Sequence, residues 1–598
     1  MGKYFCNPIN VPYKYQFNKD PRKQKMSICR EAADPTLILF KGKYYIFASM
    51  SLGVYVSDDL TSWQYHKLPL NLPLYDYAPD ARVRGDYVYF CASSREHECH
   101  RFKTKDIING PYIEIKEKTR YWDPNLFFDD DGRVYFYCGC TNVDPIWGVE
   151  LDKDSLKPIG QRVGLIYGDP YLKGFERLGD DNTILPASEE EIENNYKAFM
   201  KKMKIPSLFM PKKYRILIKG MFKNTPYIEG AWMDKFNNKY YLQYGTPGTQ
   251  YNIYCDGVYV SDSPLGEFKL QENNPYSYKP GGFINGAGHG STMLDKENSL
   301  WHVSSMRISR IHDFERRIGL FKSGIDEDGE LFCNQNFADY PYDIDTLRKD
   351  PWSLPKWNLL SYKKNVKVSS TYKDNVASNA VDENIRTIWQ GNTPNNEWIE
   401  VDLGDILDVR AIQVNFGDGD INIEAPGKIV GTTQARYIEE RNLKTRYILK
   451  GSNDGENYFV IEDKSNVDTD LTHDLIVREE GINARFIKLE IIEVPYNQKP
   501  AISGLRVFGF NENKILPKIP NYKITRIGDT NIEIEIESKD DVTGYNILFG
   551  TKEDKLYHSY MIFNNKINIG ALIKGKTYFF RVDAFNEKGI TKGEIKHE

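Results

Sequence analysis

The sequence predicts an all-β chain: a five-bladed β-propeller followed by a β-sandwich and a second, smaller sandwich. Three observations carry this. Aromatic residues reach 13%, with 41 Tyr and 30 Phe, which suits half-buried pleated surfaces. Residues 1–350 hold five copies of one hairpin pattern. After a Pro- and Trp-bearing boundary at Pro351 to Trp357, short alternating strands with turn residues fill the remainder. A length of 598 residues is more than one core supports, so several domains are expected.

The first copy runs from Asp34-Pro35 through the turn at Gly42 to Tyr44–Ser49. The second runs from Tyr77-Ala78-Pro79 through Gly85 to Tyr87–Phe90, and the third from Asp123-Pro124 through Gly132 to Val134–Tyr137. The fourth runs from Glu229-Gly230 through Asn238 to Lys239–Gly245, and the fifth from His289-Gly290 through Asn298 to Leu300–Val303. Apolar strands joined at Gly or Asn turns are hairpins. The first three copies begin at 34, 77 and 123, a spacing close to one four-stranded blade. The longer interval before Glu229 holds a charged, helix-like excess near Ser188 to Lys204. The first strand of each blade lines the channel, so Asp34, Tyr77, Asp123, Glu229 and His289 are expected to ring one point.

A formal charge of -5 argues against nucleic acid as an obligate partner. No apolar run is long enough to insert into a membrane, and the residues after Met1 lack an apolar signal core, which predicts a cytoplasmic protein. The eight cysteines form no Cys-x-x-Cys pair, and Cys91, Cys138 and Cys140 lie in aromatic strand patterns as small apolar fillers.

Three acids converging on an aromatic-rimmed axis suit cleavage of a glycosidic bond. One carboxylic acid protonates the leaving oxygen while a carboxylate activates water on the opposite face. The acid needs a raised pKa, which a like-charged neighbour such as Asp123 supplies. Tyr77, Trp122, Trp232 and Tyr251 are candidate faces for a sugar ring, as are Tyr75 and Tyr121.

Across residues 1–350, Ala33-Asp34-Pro35, Tyr77-Ala78-Pro79, Trp122-Asp123-Pro124 with Asp129–Gly132, Glu229-Gly230 and the His289 copy together resemble glycoside hydrolase family 43, five-bladed propellers that act by inversion. The resemblance implies Asp34 as general base, Glu229 as general acid and Asp123 as the residue that orients the site and tunes the acid. It implies that His289 is an axial histidine associated, through water, with a channel calcium, and that no cofactor is needed for the chemistry. Arg316 is a candidate for substrate hydroxyls, with a strand-end ion pair as its other reading. The activity implied is exo-removal of a terminal α-L-arabinofuranosyl or β-D-xylosyl residue from plant-type oligosaccharides. An exo-β-galactosidase and an inactive carbohydrate-binding propeller stay open as alternatives.

Residues 351–512, with Asn379–Asp382, Thr387–Trp389 and Trp398–Gly404, resemble a discoidin-like (coagulation factor 5/8 type C) jelly roll, in which Asp382 is a candidate calcium ligand or simply a turn cap. Residues 513–598, with Gly544–Gly550 and Gly575–Ala584, resemble a fibronectin type III sandwich.

Overall fold

A computed structural model describes residues 3–598 other than 20–25, 75–77, 94–98, 117–119, 205–209, 420, 432–434 and 538–540. Tyr75 and Tyr77 lie outside the described residues. The five hairpins become five blades. Four-stranded meanders span 33–67, 80–115 and 125–166, each in chain order from its inner strand outwards. The fourth and fifth blades, 229–270 and 285–334, are joined edgewise by one parallel pairing, Cys255 with Ala287.

The blades share a backbone device at their inner ends. Asp34, Ala78, Asp123, Gly230 and His289 have φ of 48°, 56°, 48°, 57° and 51°. Each is a left-handed residue at the mouth of an inner strand, and in blades 1, 4 and 5 the hairpin register slips there. These five define the true equivalence, which corrects the expected one. Tyr77 and Glu229 stand one residue earlier, level with Ala33, Trp122 and Gly288. Ala33 pairs with Ser49 as Glu229 pairs with Gly245, which fixes this frame independently. The number of residues from the left-handed position to the turn varies from blade to blade, from Ala78 to Gly85 in the second against Asp123 to Gly132 in the third, so a turn count alone does not fix the frame.

Two residues further on, side chains stitch neighbouring blades. Ser291 accepts from Leu37 N–H at 2.9 Å, Asp80 from Leu126 N–H at 2.8 Å and Asn125 from Met233 N–H at 2.9 Å. Trp232 occupies the same place in blade 4. It is 4% exposed, its ring lies under the Arg82 guanidinium at 3.4 Å, and its indole N–H donates to Asp234. The expected sugar platform is instead buried packing behind the mouth, where the ring meets Arg82 of the second blade across the third.

The helical excess before blade 4 forms Glu189–Met203, capped by Ser188 with the reciprocal Glu191 contact and ended by Lys204 in the left-handed region. A second helix, Lys212–Gly220, follows.

Beyond the propeller, an eight-stranded assembly spans 358–510 around Trp389, Ile399, Val401 and Leu489, and two further sheets span 522–597. Neither group stands apart. The N-terminal hairpin Lys14–Lys19 and Met26–Glu31 takes its third strand, Ala435–Ile438, from the larger sandwich, with Gln16 opposite Ile438. The smaller sandwich shares one apolar core with blades 3 and 4, where Tyr137, Leu242 and Tyr244 meet Ile547, Leu572 and Phe580. Lys555 reaches Asp326 at 2.6 Å and Asp328 at 2.7 Å.

Candidate active site

The left-handed mouth residues turn Asp34, Asp123 and His289 inward, and each backbone N–H is received by a side chain of an adjoining element. Asp34 N–H donates to Ser305 Oγ at 2.8 Å, Asp123 N–H to Ser93 Oγ at 2.8 Å, and His289 N–H to Asp256 Oδ1 at 2.6 Å. Gly230 N–H donates to Asp123 Oδ2 at 3.2 Å. The imidazole joins the acids: Nδ1 of His289 lies 3.5 Å from Asp34 Oδ1 and 3.8 Å from Asp123 Oδ2. Gly230 is what admits this ring, since a Cβ there would stand 2.5 Å from His289 Cγ.

Asp34 is 4% exposed. Its Oδ1 accepts from Arg316 Nη1 at 2.8 Å and its Oδ2 from Ser49 Oγ at 2.8 Å. Burial alone would raise the carboxyl, but the Arg316 and His289 charges and the Ser49 and Arg316 hydrogen bonds outweigh it and hold it below the ordinary carboxylate range. Arg316 is itself buried, and it also grips Glu31 Oε1 at 2.7 Å. The guanidinium is thus committed to two carboxylates and orients the base; the ion-pair reading holds, in place of the expected contact with substrate hydroxyls.

Glu229 sits one residue before the left-handed position, half-buried, and reaches the same point from the side. Its Oε1 accepts from the Tyr254 hydroxyl at 2.5 Å and its Oε2 from the Cys140 thiol at 3.3 Å. Donor atoms of Asp123, Cys140 and Glu229 lie within 4.8 Å of one another. The raised pKa falls on Asp123: burial first, then the Glu229 and Asp34 charges, push it up to about 7 against the lowering effect of His289. A like charge this close opposes ionisation of the Asp123 carboxyl. Asp123 carries the shift because it is the deeper group, 5% exposed behind the mouth.

Burial lowers the affinity of His289 for a proton, but Asp34, Asp123, Glu229 and Asp256 more than reverse this and raise its pKa. The acids around this imidazole favour its protonated, donating form, and no step below passes through a metal. Asp382 is a turn cap, with its carboxylate accepting from Asn384 N–H at 3.0 Å and Thr387 Oγ1 at 2.8 Å. Trp122 is half-buried beside Asp123, while Tyr121 is buried against Phe136 and Tyr251 half-buried against the core shared with the smaller sandwich.

Sequence reasoning missed Tyr254, Cys140, Glu31 and the three serines Ser49, Ser93 and Ser305. Cys140 was read as filler, and only its closeness to Glu229 across the mouth reveals otherwise. Glu31 had a signal, standing three residues before Asp34 at the end of the preceding strand, Met26–Glu31.

The family model for glycosyl hydrolases family 43 matches residues 28–176, which carry Asp34, Asp123 and three of the five blades. The chain is 26% identical over 269 residues to "Xylosidase/arabinosidase 43A" of Humicola insolens, covering 40% of this chain and 77% of that protein. It is 25% identical over 279 residues to a "Beta-xylosidase" of Xylanibacter ruminicola, covering 40% and 78%. A solved structure named Bacteroides ovatus "Xyloglucan PUL GH43B" aligns over 100% of this chain and 98% of its own, with a TM-score of 0.40 and 14% identity.

Proposed function

We propose that this chain is an inverting, exo-acting glycoside hydrolase of family 43 that removes a terminal pentose, α-L-arabinofuranosyl or β-D-xylosyl, from plant-type oligosaccharides. The chain is a glycoside hydrolase. The observation that carries the reading is the meeting of three acids at one imidazole, with Asp34 held as a carboxylate on one side and Asp123 beside Glu229 on the other. Asp34, kept as a carboxylate by Arg316, takes a proton from water as the water attacks the anomeric carbon. Glu229, at the mouth, gives a proton to the departing glycosidic oxygen. Asp123, whose own carboxyl is pushed up, stands close to Glu229 and, by accepting from Gly230 N–H, fixes the strand that bears it. Inversion asks for roughly 6.5–9.5 Å between base and acid so that the water fits. The names of the two curated relatives support a pentose, and the sandwich resemblances to discoidin-like and fibronectin type III modules remain part of this reading.

The test is a panel of aryl arabinofuranosides, xylosides and galactosides with the full chain and with Asp34→Asn and Glu229→Gln. The expected outcome is turnover of a pentoside, loss of about 10³-fold or more in each variant with the fold intact, and an inverted anomer by NMR. Turnover of galactosides alone would replace the pentose; full activity in either variant would remove that residue from the mechanism.

A further inference from the structure

Arg30-Glu31 and Arg316-Arg317 are two adjacent pairs on neighbouring strands, with Ala32 N–H donating to Arg316 O at 3.4 Å. Successive side chains on a strand point to opposite faces. Glu31 and Arg316 face the propeller and meet Asp34, with Arg316 Nη2 2.7 Å from Glu31 and Nη1 2.8 Å from Asp34. Arg30 and Arg317 therefore face the other way, and there each finds a partner in the larger sandwich. Arg30 is 1% exposed; its Nε donates to Asp470 Oδ2 at 2.7 Å and its Nη1 to Asp418 Oδ1. Its own backbone N–H donates to Asp418 Oδ2 at 3.0 Å, and the Tyr15 ring lies 4.6 Å beneath its guanidinium. Arg317 Nε donates to His473 Nε2 at 3.0 Å, and His473 Nδ1 bonds Asn415 Oδ1 at 2.9 Å, which fits the neutral tautomer. Arg317 also donates to Arg30 O at 2.6 Å, tying the two shoulders together.

We propose that the larger sandwich is a working part of the catalytic centre, with Asp418, Asp470 and His473 acting as positioning residues that hold Glu31 and Arg316 against Asp34 through Arg30 and Arg317. This rests on the reading of Asp34 as the base. The argument is geometric. A buried arginine whose carboxylate partner is removed must move or bind another group, and the Asp418 that pairs with Arg30 also holds its backbone N–H, next to Glu31, while the Arg30 carbonyl is held by Arg317. The charges facing Asp34 are Arg316, His289 and Asp123, so a displaced Arg316 leaves Asp34 with less cationic compensation and a carboxyl that protonates more readily.

The experiment compares full-length Asp470→Asn, Asp418→Asn and His473→Gln with the parent on a cleaved aryl glycoside. The expected result is a fall in kcat of roughly 10- to 100-fold with little change in KM, and an acid limb of the pH profile moved to higher pH. In a Glu31→Gln background Asp470→Asn should add little, because Asp470 holds Arg30 and reaches Asp34 only through the adjacent Glu31 and its partner Arg316. Folded variants with parental kcat and an unmoved acid limb would overturn the proposal, leaving the contact purely architectural. Full additivity with Glu31→Gln would do the same. If Asp418→Asn or Asp470→Asn does not fold, His473→Gln decides, since it keeps a hydrogen-bonding partner for Arg317 and removes no charge. Asp34→Asn run alongside separates the two claims: an active Asp34→Asn sinks the base assignment, whereas a dead one with normal sandwich variants sinks only this proposal.

Discussion

At the scale of single residues, the site divides its protons by depth and by charge. Asp34 is held below the usual carboxylate range, so a base reaction fails only when the pH drops beneath that range. Burial pushes the Asp123 carboxyl up to about 7; with that proton feeding the acid step, activity is expected to be lost as the pH rises through about 7. The expected kcat/KM profile is a bell with its alkaline limb near 7, and Asp123→Asn should displace that limb while leaving the acid limb in place. An unmoved alkaline limb in that variant would assign the proton elsewhere. Tyr254 and Cys140 hold the two oxygens of Glu229, and Tyr254→Phe is expected to cost about 1–3 kcal/mol in transition-state binding, read as kcat/KM, by leaving one oxygen without its donor. Asp34, Asp123, Glu229 and His289 were legible in the sequence because each opens a copy of a repeat. Tyr254 was not, since it precedes the third strand of its blade and is brought to the mouth only by packing.

At the scale of the element, the inner strand is defined by its first left-handed residue. Asp34, Asp123 and His289 hold that conformation although they have side chains, a strain of order 1–2 kcal/mol each that the N–H acceptors at their backs help sustain. Gly230 holds it freely and also makes room for the imidazole. Gly230→Ala is therefore expected to lose at least about 2 kcal/mol of stability and most activity, measured by thermal melting and by turnover. A variant as stable as the parent would mean that His289 can sit elsewhere. The turns that divide the strands are plain in the sequence, at Gly42, Gly85, Gly132, Asn238 and Asn298. The frame of each inner strand is not, because the distance from its left-handed residue to the turn differs between blades, so five blades are readable while Glu229 and Tyr77 fall one step from the left-handed position. The capped helix at Ser188 was legible for the opposite reason: its signal is local.

At the scale of the whole molecule, the parts interlock through contacts that no short window of sequence can reveal. Gln16 lies opposite Ile438, and Tyr137 shares a core with Phe580. A chain ended at residue 350 would expose the outer edge of the N-terminal hairpin and the face of blades 3 and 4 that the smaller sandwich covers. Such a chain is expected to aggregate on expression, checked by gel filtration and circular dichroism. A monodisperse, fully folded fragment would show that the propeller stands alone.

The shared sheet also orders events on the ribosome. Tyr15 emerges early, and its partner Asp418 is 403 residues further along. At about 5–20 residues per second that interval lasts roughly 20–80 s. For that time the hairpin leading to Asp34 has an open strand edge and Arg30 lacks Asp418 and Asp470. On the proposal above, synthesis completes the support behind Asp34 late, after the blades that surround it. Anything that shields strand edges on the nascent chain would raise the yield of active enzyme more than the yield of soluble protein.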